Sequence, residues 1–203
     1  MIDGNTNFYE HSMKLWEDLS RDPNFNVMFS QRGQINLAHS PAQMDSHARR
    51  GNIMRMNGIE AHLMSREEVM KRVPILDYSE NARFPIHGGL LQERAGTARH
   101  DAVAWGYARG ASARGIDIIQ GCEVTGYLWD HGRIVGVETT RGPIRAKKVA
   151  MAVAGHTSHM AKMAGLRLPI ETHVLQAFVT EAIKPVIDCV VSFGAVHFYI
   201  SQS

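Results

Sequence analysis

Apolar residues recur every three or four positions in several stretches of the chain, which is the spacing of a helix with one buried face. The helices predicted in this way are residues 8–19, 44–57 and 100–114. Gly58 and Gly115 follow two of these segments, at positions where glycine commonly ends a helix. A shorter helix is predicted from Ser65, because the sequence SREE places Glu68 three residues later and so forms a capping box.

Other apolar runs have the length and alternation of strands. A hairpin is predicted over residues 26–40, with its turn at Arg32–Gly33. After Gly115 the pattern indicates a strand, then a three-stranded meander turning at His131–Gly132, then a buried apolar strand that enters a helix through a tight glycine turn. The runs concerned are residues 116–120, 123–130, 133–140, 144–148 and 149–155.

This order of elements is typical of the second half of a two-dinucleotide-binding flavoprotein domain. In such a domain the meander crosses over and the last strand returns beside the nucleotide. It predicts a mixed α/β fold, part of a two-lobed FAD-binding flavoprotein with a β-rich substrate lobe. The first half of such a domain carries GxGxxG, and that motif does not occur in the sequence. The last residues, HFYISQS, also stop within an alternating strand pattern. We therefore expect a fragment that lacks an N-terminal GxGxxG segment and a C-terminal segment.

Composition excludes several classes of function. The net charge is +2 and the basic residues are spread along the chain, which leaves no patch for nucleic acid. No apolar run approaches the ~20 residues that span a membrane, and the N-terminal segment lacks the features of a signal peptide, so we expect a cytoplasmic protein. Cys122 and Cys189 lie in no paired motif and indicate free thiols. His156 and His159 lack the partners of a metal site, so none is predicted.

Six stretches together carry a resemblance to a known family. They are KLWEDL, FSQRGQINLAHS, RAGTARHDAVAWGYAR, GIDIIQGCEVTG, TTRGPIRAKKVAMAVAGHTS and LPIETHVLQAFV. In order and spacing, over essentially the whole chain, they resemble the beta subunits of heterotetrameric sarcosine oxidases. These belong to the amine-oxidising flavoproteins, with D-amino-acid oxidase and dimethylglycine dehydrogenase.

The resemblance implies an oxidoreductase subunit that works in a cytoplasmic complex with alpha, gamma and delta subunits. Non-covalent FAD would oxidise sarcosine to glycine and a one-carbon unit, which passes to tetrahydrofolate through the alpha subunit or leaves as formaldehyde. Covalent FMN would then pass the electrons to oxygen and give hydrogen peroxide. NAD is expected on the alpha subunit.

Four cofactor-binding residues are expected. The resemblance implies that His100, in the motif RHDAVAW, is the FMN attachment point and that the main chain of Val124 holds the adenine of FAD. Ala154 and Gly155 end an apolar strand at a turn too tight for a side chain, which suits close approach of the backbone to a cofactor. Attachment requires a neutral imidazole, and the positive end of a helix disfavours protonation there. From sequence pattern alone, an exposed histidine near a helix start and a valine packed in a sheet are the more common interpretations of His100 and Val124, and an ordinary strand-to-helix turn explains Ala154 and Gly155 equally well. We further expect Arg94 and Arg99 to hold either the FMN phosphate or the negative charge of a reduced flavin ring.

The same resemblance predicts two interleaved domains. Residues 1–22 and 93–168 would belong to the FAD-binding domain, and residues 23–92 and 169–203 to the substrate-binding domain. The catalytic residues are not predicted, because the groups that hold the substrate carboxylate are expected outside this chain. Two alternatives stay open: an enzyme similar to dimethylglycine dehydrogenase, and a truncated, non-catalytic chain. We expect the isolated fragment to bind FAD weakly and to be inactive.

Overall fold

The computed structural model describes residues 3–22 and 24–202. Its helices are α1 (Asp3–Asp18), α2 (Pro41–Met56), α3 (Arg66–Arg72), α4 (His100–Ser112) and α5 (Thr157–Met163), with a 3-10 turn at Ala154–His156. Its strands are β1 (Gln34–Ala38), β2 (His62–Ser65), β3 (Gly88–Gln92), β4 (Val124–Asp130), β5 (Arg133–Thr139), β6 (Ile144–Arg145), β7 (Val190–Phe193) and β8 (Phe198–Ile200). The predicted mixed α/β class is confirmed. None of the helices among the described residues has the length and apolar character needed to cross a membrane.

The chain divides into two compact units. The first consists of Met1–Ile116 with Ala182–Ser203, and the second of Asp117–Glu181. The division into FAD-binding and substrate-binding domains stays a prediction, and its boundary at residue 23 and its ends at residues 1 and 203 lie outside the described residues.

The first unit is built on a five-stranded sheet in the order β2-β3-β1-β7-β8. β1 pairs antiparallel with β3 and parallel with β7. Successive residues of a strand face opposite sides, and both sides of β3 are covered. Leu90 is fully buried against Met54 of α2, whereas Val69 of α3 lies over Gly89 on the other face. The apolar core therefore lies on both faces of this sheet.

Local sequence signals set the start of α3 and the ends of α2 and α4 as expected, whereas α1 begins at Asp3 and α2 at Pro41, earlier than the predicted residues 8 and 44. The Ser65 hydroxyl accepts from the Glu68 N–H, and the Glu68 carboxylate accepts from the Ser65 N–H at 2.7 Å, so the predicted capping box is present. Gly58 has φ +76° just after α2, and Gly115 has φ +78° just after α4. Both glycines occupy the left-handed conformation that closes a helix.

The second unit contains the predicted meander. β4, β5 and β6 form a three-stranded antiparallel sheet, and the β4–β5 turn lies at His131–Gly132. Both turn residues have positive φ, 46° and 76°, as a tight hairpin turn requires. α5 then follows the 3-10 turn, as the pattern after the meander predicted.

Three strand predictions were wrong. Residues 26–30 do not form the first arm of a hairpin, because Met28 has φ 54° and its N–H bonds to the Asn26 side chain at 2.8 Å, which breaks the extended backbone. Residues 116–120 and 149–155 form no ladder with any other described strand, and Ile116 and Met151 remain exposed. An apolar run becomes a strand only when a neighbour satisfies its N–H and C=O groups.

Candidate functional site

His100 is the first residue of α4, as the sequence predicted, and its side chain is exposed. The residue before it, Arg99, has an extended backbone (φ −77°, ψ 109°) and makes no side-chain capping bond to the helix. The imidazole is therefore open to reaction from outside the protein.

Asp101 places a carboxylate beside that histidine. Its oxygen accepts from the Ala102 N–H at 2.9 Å and lies 3.6 Å from Nε of Arg99. The Ala102 hydrogen bond and then the charge of Arg99 hold the pKa of Asp101 below its ordinary range. Asp101 is thus negative at neutral pH, which suits a residue in the first turn of a helix.

α4 has one buried and one exposed face. Ala102 and Gly106 are buried, whereas Trp105 and Tyr107 are 63% and 61% exposed. The helix packs closely at Gly106, since a methyl group there would lie 3.2 Å from Cγ1 of Val27. Trp105 and Tyr107 are two positions apart and therefore point in different directions around the helix, and each ring is accessible to another molecule.

Arg94 does not occupy the role that the sequence predicted for it. Its guanidinium is 2.8 Å from Oε1 of Glu10 and 2.6 Å from Oε1 of Glu17, both on α1. The Arg94 bond, followed by one from Gln31, lowers the pKa of Glu17, and the two carboxylates raise that of Arg94. Arg94 is already committed to two carboxylates and is not free to neutralise a phosphate.

The two glutamates were not predicted from the sequence as partners of Arg94. Their separation of seven residues places them on the same face of a helix, which is a signal in the sequence. Their partner, however, lies 84 positions from Glu10 and 77 from Glu17, and local pattern does not indicate it.

Val124, Ala154 and Gly155 belong to the second unit, whereas His100 belongs to the first. Val124 begins β4, and the register with β5 shifts between Val124 and Gly126. A register shift of this kind locally redirects the backbone, and β4 also contacts α5. The structure thus brings the three expected FAD residues into one unit.

Ala154 has φ 45°, an uncommon conformation for a residue other than glycine. Its carbonyl accepts from the Thr157 hydroxyl at 2.6 Å, and the Gly155 carbonyl accepts from Thr172 at 2.9 Å. Both residues are exposed. Backbone in this conformation and without a bulky side chain fits the close approach of a cofactor. Among the described residues, no group of three His, Cys, Asp or Glu could hold a metal ion.

A cavity of about 720 Å³ lies in the first unit, between α1, α2 and the ends of β1 and β3. Its walls are mainly apolar, with Met13, Met54 and Ile59 among them, and Arg94 lies at its border. It has the size of a small-molecule site. None of the four predicted site residues lines it.

Comparison with known proteins places the chain among flavin enzymes. The family model described as FAD dependent oxidoreductase matches residues 3–203. A protein of Rhizobium meliloti (strain 1021) named sarcosine oxidase subunit beta is 64% identical over 203 residues, which is 100% of this chain and 49% of that protein. A protein of the same name from an Arthrobacter species is 45% identical over 99% of this chain and 50% of its own length. These matches confirm the resemblance found in the motifs.

Solved structures agree with the fold. L-proline dehydrogenase from P. horikoshii superposes with a TM-score of 0.76 and 23% identity, over 96% of this chain and 51% of that one. Glycine oxidase from Geobacillus kaustophilus gives a TM-score of 0.69 at 18% identity, over 91% of this chain and 49% of that one. The chain spans about half the length of the curated relatives it matches.

Proposed function

The chain belongs to the FAD dependent oxidoreductase family, and on that premise we propose that it is part of a sarcosine oxidase beta subunit that carries FMN on His100. The observation that carries this proposal is the 64% identity with a sarcosine oxidase subunit beta along all 203 residues. The exposed position of His100 at the start of α4 supports the attachment role.

The proposed reaction removes the N-methyl group of sarcosine. Sarcosine, water and dioxygen give glycine, formaldehyde and hydrogen peroxide, unless tetrahydrofolate on the alpha subunit takes the one-carbon unit. Bound FAD supplies the two-electron acceptor, and FMN relays the electrons to oxygen. Alpha, gamma and delta subunits are the proposed partners, with NAD on the alpha subunit.

The chain's own residues would provide the attachment point and part of the FAD cradle. An imidazole nitrogen of His100 would bond to the methyl carbon at position 8 of FMN, with one hydrogen lost from each group. Dioxygen would accept the two electrons and two protons as hydrogen peroxide, so the step balances. The backbone of Val124, Ala154 and Gly155 would contact FAD, because these exposed or bulged segments leave room for a ligand.

Attachment is tested by intact mass of the protein expressed with its partner subunits. His100→Ala should abolish flavin that survives acid precipitation, whereas His11→Ala, which removes another exposed histidine in a helix, should retain it. Full covalent flavin in the His100 variant would overturn the assignment.

The substrate is tested separately on the full complex with sarcosine, dimethylglycine and D-alanine. Sarcosine should be turned over fastest. Faster turnover of dimethylglycine would favour the dimethylglycine dehydrogenase alternative, and faster turnover of D-alanine would contradict both. A titration of the isolated chain with FAD should show no submicromolar binding, because GxGxxG is absent from it.

A further inference from the structure

The loop between β3 and α4, which precedes His100, is hydrogen-bonded through its backbone to the segment around Ser30. The Ser30 N–H donates to the Thr97 carbonyl at 2.8 Å, and the Thr97 N–H donates back to Ser30 at 3.0 Å. The Gly33 N–H donates to the Ala95 carbonyl at 2.8 Å. The two segments lie so close at Gly96 that a methyl group there would be 2.0 Å from the Ser30 carbonyl oxygen.

A cluster of charged and polar side chains fastens the same loop to α1. Arg94 donates through Nε and Nη2 to Oε1 of Glu17, at 3.0 and 2.6 Å, and through Nη1 to Glu10 at 2.8 Å. Gln31 donates from Nε2 both to Glu17 and to the Arg94 carbonyl, each at 2.9 Å. We call Glu10, Glu17, Gln31 and Arg94 the Arg94 cluster. It joins α1, the segment near residue 30 and the loop before α4.

The segment near residue 30 also supports α4. The Gly106 position lies against Phe25 and Val27, where an added methyl would be 3.3 and 3.2 Å from their side chains. Residues 25–33 therefore contact both the body of α4 and the loop leading into it. The loop and the helix that meet at His100 are thus both in contact with this segment, although the ring of His100 is exposed.

We propose that Arg94 is a positioning residue for the attachment of flavin to His100, acting through the loop rather than by contact with the flavin. This inference rests on the proposed function. Formation of the nitrogen–carbon bond, with the loss of two hydrogens to dioxygen described above, requires the imidazole to meet the methyl carbon in a narrow range of geometries. A misplacement of about 1 Å can slow such a step by about 100-fold. Without the Arg94 side chain, the two glutamates would repel each other and the loop would lose its direct tie to α1, keeping only the indirect one through Gln31.

The experiment uses flavin-free protein, purified with its partner subunits and then given FMN at saturating concentration. The rate constant for covalent attachment is followed by intact mass, and protection of the Ser30, Gly33 and Thr97 amides is followed by hydrogen exchange before FMN is added. Arg94→Met should lower the rate constant by about 10-fold or more and speed exchange at the three amides. Arg94→Lys should recover part of the rate, because one ammonium cannot reproduce the fork that bonds two carboxylates. Arg21→Met, which removes an exposed ion pair with Asp18, should match the wild type in both measurements.

Two results would overturn the inference. One is a wild-type rate constant in Arg94→Met. The other is a slower rate with unchanged exchange at the three amides, since Arg94 would then act by contact with the flavin. If Arg94→Met does not fold, Arg94→Lys and Glu17→Gln are measured instead. A lower attachment rate constant together with faster amide exchange supports the positioning role of Arg94, and wild-type values of both contradict it. Failure of the proposed function is recognised separately, as covalent flavin in His100→Ala.

Discussion

Gly96→Ala is the substitution with the most sharply defined consequence. The alanine Cβ would lie 2.0 Å from the Ser30 carbonyl oxygen, 2.7 Å from its carbon and 2.8 Å from Cα of Gln31. All three are backbone atoms, so no side-chain rotation relieves the contact. Because φ at Gly96 is not in the left-handed region, the expected effect comes from the contact alone.

The size of the effect follows from what the methyl group displaces. Separation of the two segments breaks the reciprocal Ser30–Thr97 bonds of 2.8 and 3.0 Å, and each contributes about 1 kcal/mol. Overpacking adds about 1–3 kcal/mol of strain. We therefore expect the free energy of unfolding to fall by roughly 3–5 kcal/mol, which corresponds to a drop in Tm of roughly 6–20 °C for a chain of this length.

Urea unfolding of the protein provides the measurement, with an unchanged m value as the sign that only stability has changed. Gly194→Ala is the matched control, because nothing lies within 4 Å of the added methyl and its φ is ordinary; we expect its change to stay within about 0.5 kcal/mol. A loss below about 1 kcal/mol in Gly96→Ala would refute the reasoning, since two backbone bonds and a forced contact cannot cost so little.

Three further predictions concern burial and its effect on stability and reactivity. Leu90→Ala should cost about 2–5 kcal/mol in urea unfolding, because Leu90 is fully buried against α2; a cost near zero would place it outside the core. Burial lowers the pKa of His47 below its ordinary value of 6.5, against the opposing bond to the Leu37 carbonyl. The unfolded chain then binds the proton first, so stability should fall as pH drops below about 6.5, and His47→Gln should flatten that part of the profile. Burial, and then Asp188, raise the pKa of the Cys189 thiol, so iodoacetamide at pH 8 should modify half-buried Cys122 first, as peptide mass mapping would reveal.

Elements specified by neighbouring residues were predicted from the sequence. The Ser65–Glu68 capping box, the glycine ends of α2 and α4, and the His131–Gly132 turn each depend on residues within one turn of chain. The same locality explains the placing of His100 at a helix start. These features need no knowledge of the rest of the fold.

Elements that depend on residues far away in the sequence were not predicted correctly. Residues 116–120 and 149–155 have the apolar composition of strands, but composition does not supply the neighbour that a strand requires. Positive φ at Met28 depends on a side-chain bond that hydrophobic pattern does not register. The same limit applies to Arg94. Its charge suggested a bond to phosphate, whereas its partners in the structure are Glu10 and Glu17 on α1, far away in the sequence. The roles of His100 and Val124 came from family resemblance and those of Ala154 and Gly155 from a tight glycine turn, and all four stay predictions.

The parallel pairing of β1 with β7 has a consequence for synthesis. Gln34 and its partner Val190 are separated by roughly 150 residues, which a ribosome adds in roughly 10–30 s. During that interval β1 can pair with β3 but not with β7, so the buried side chains of β1 remain partly open to solvent. Closing so long a stretch of chain is slow compared with forming a hairpin. The nascent chain therefore passes through a period in which chaperones can bind it, and substitutions that weaken β1–β3 pairing would lower the yield of folded protein more than its final stability indicates.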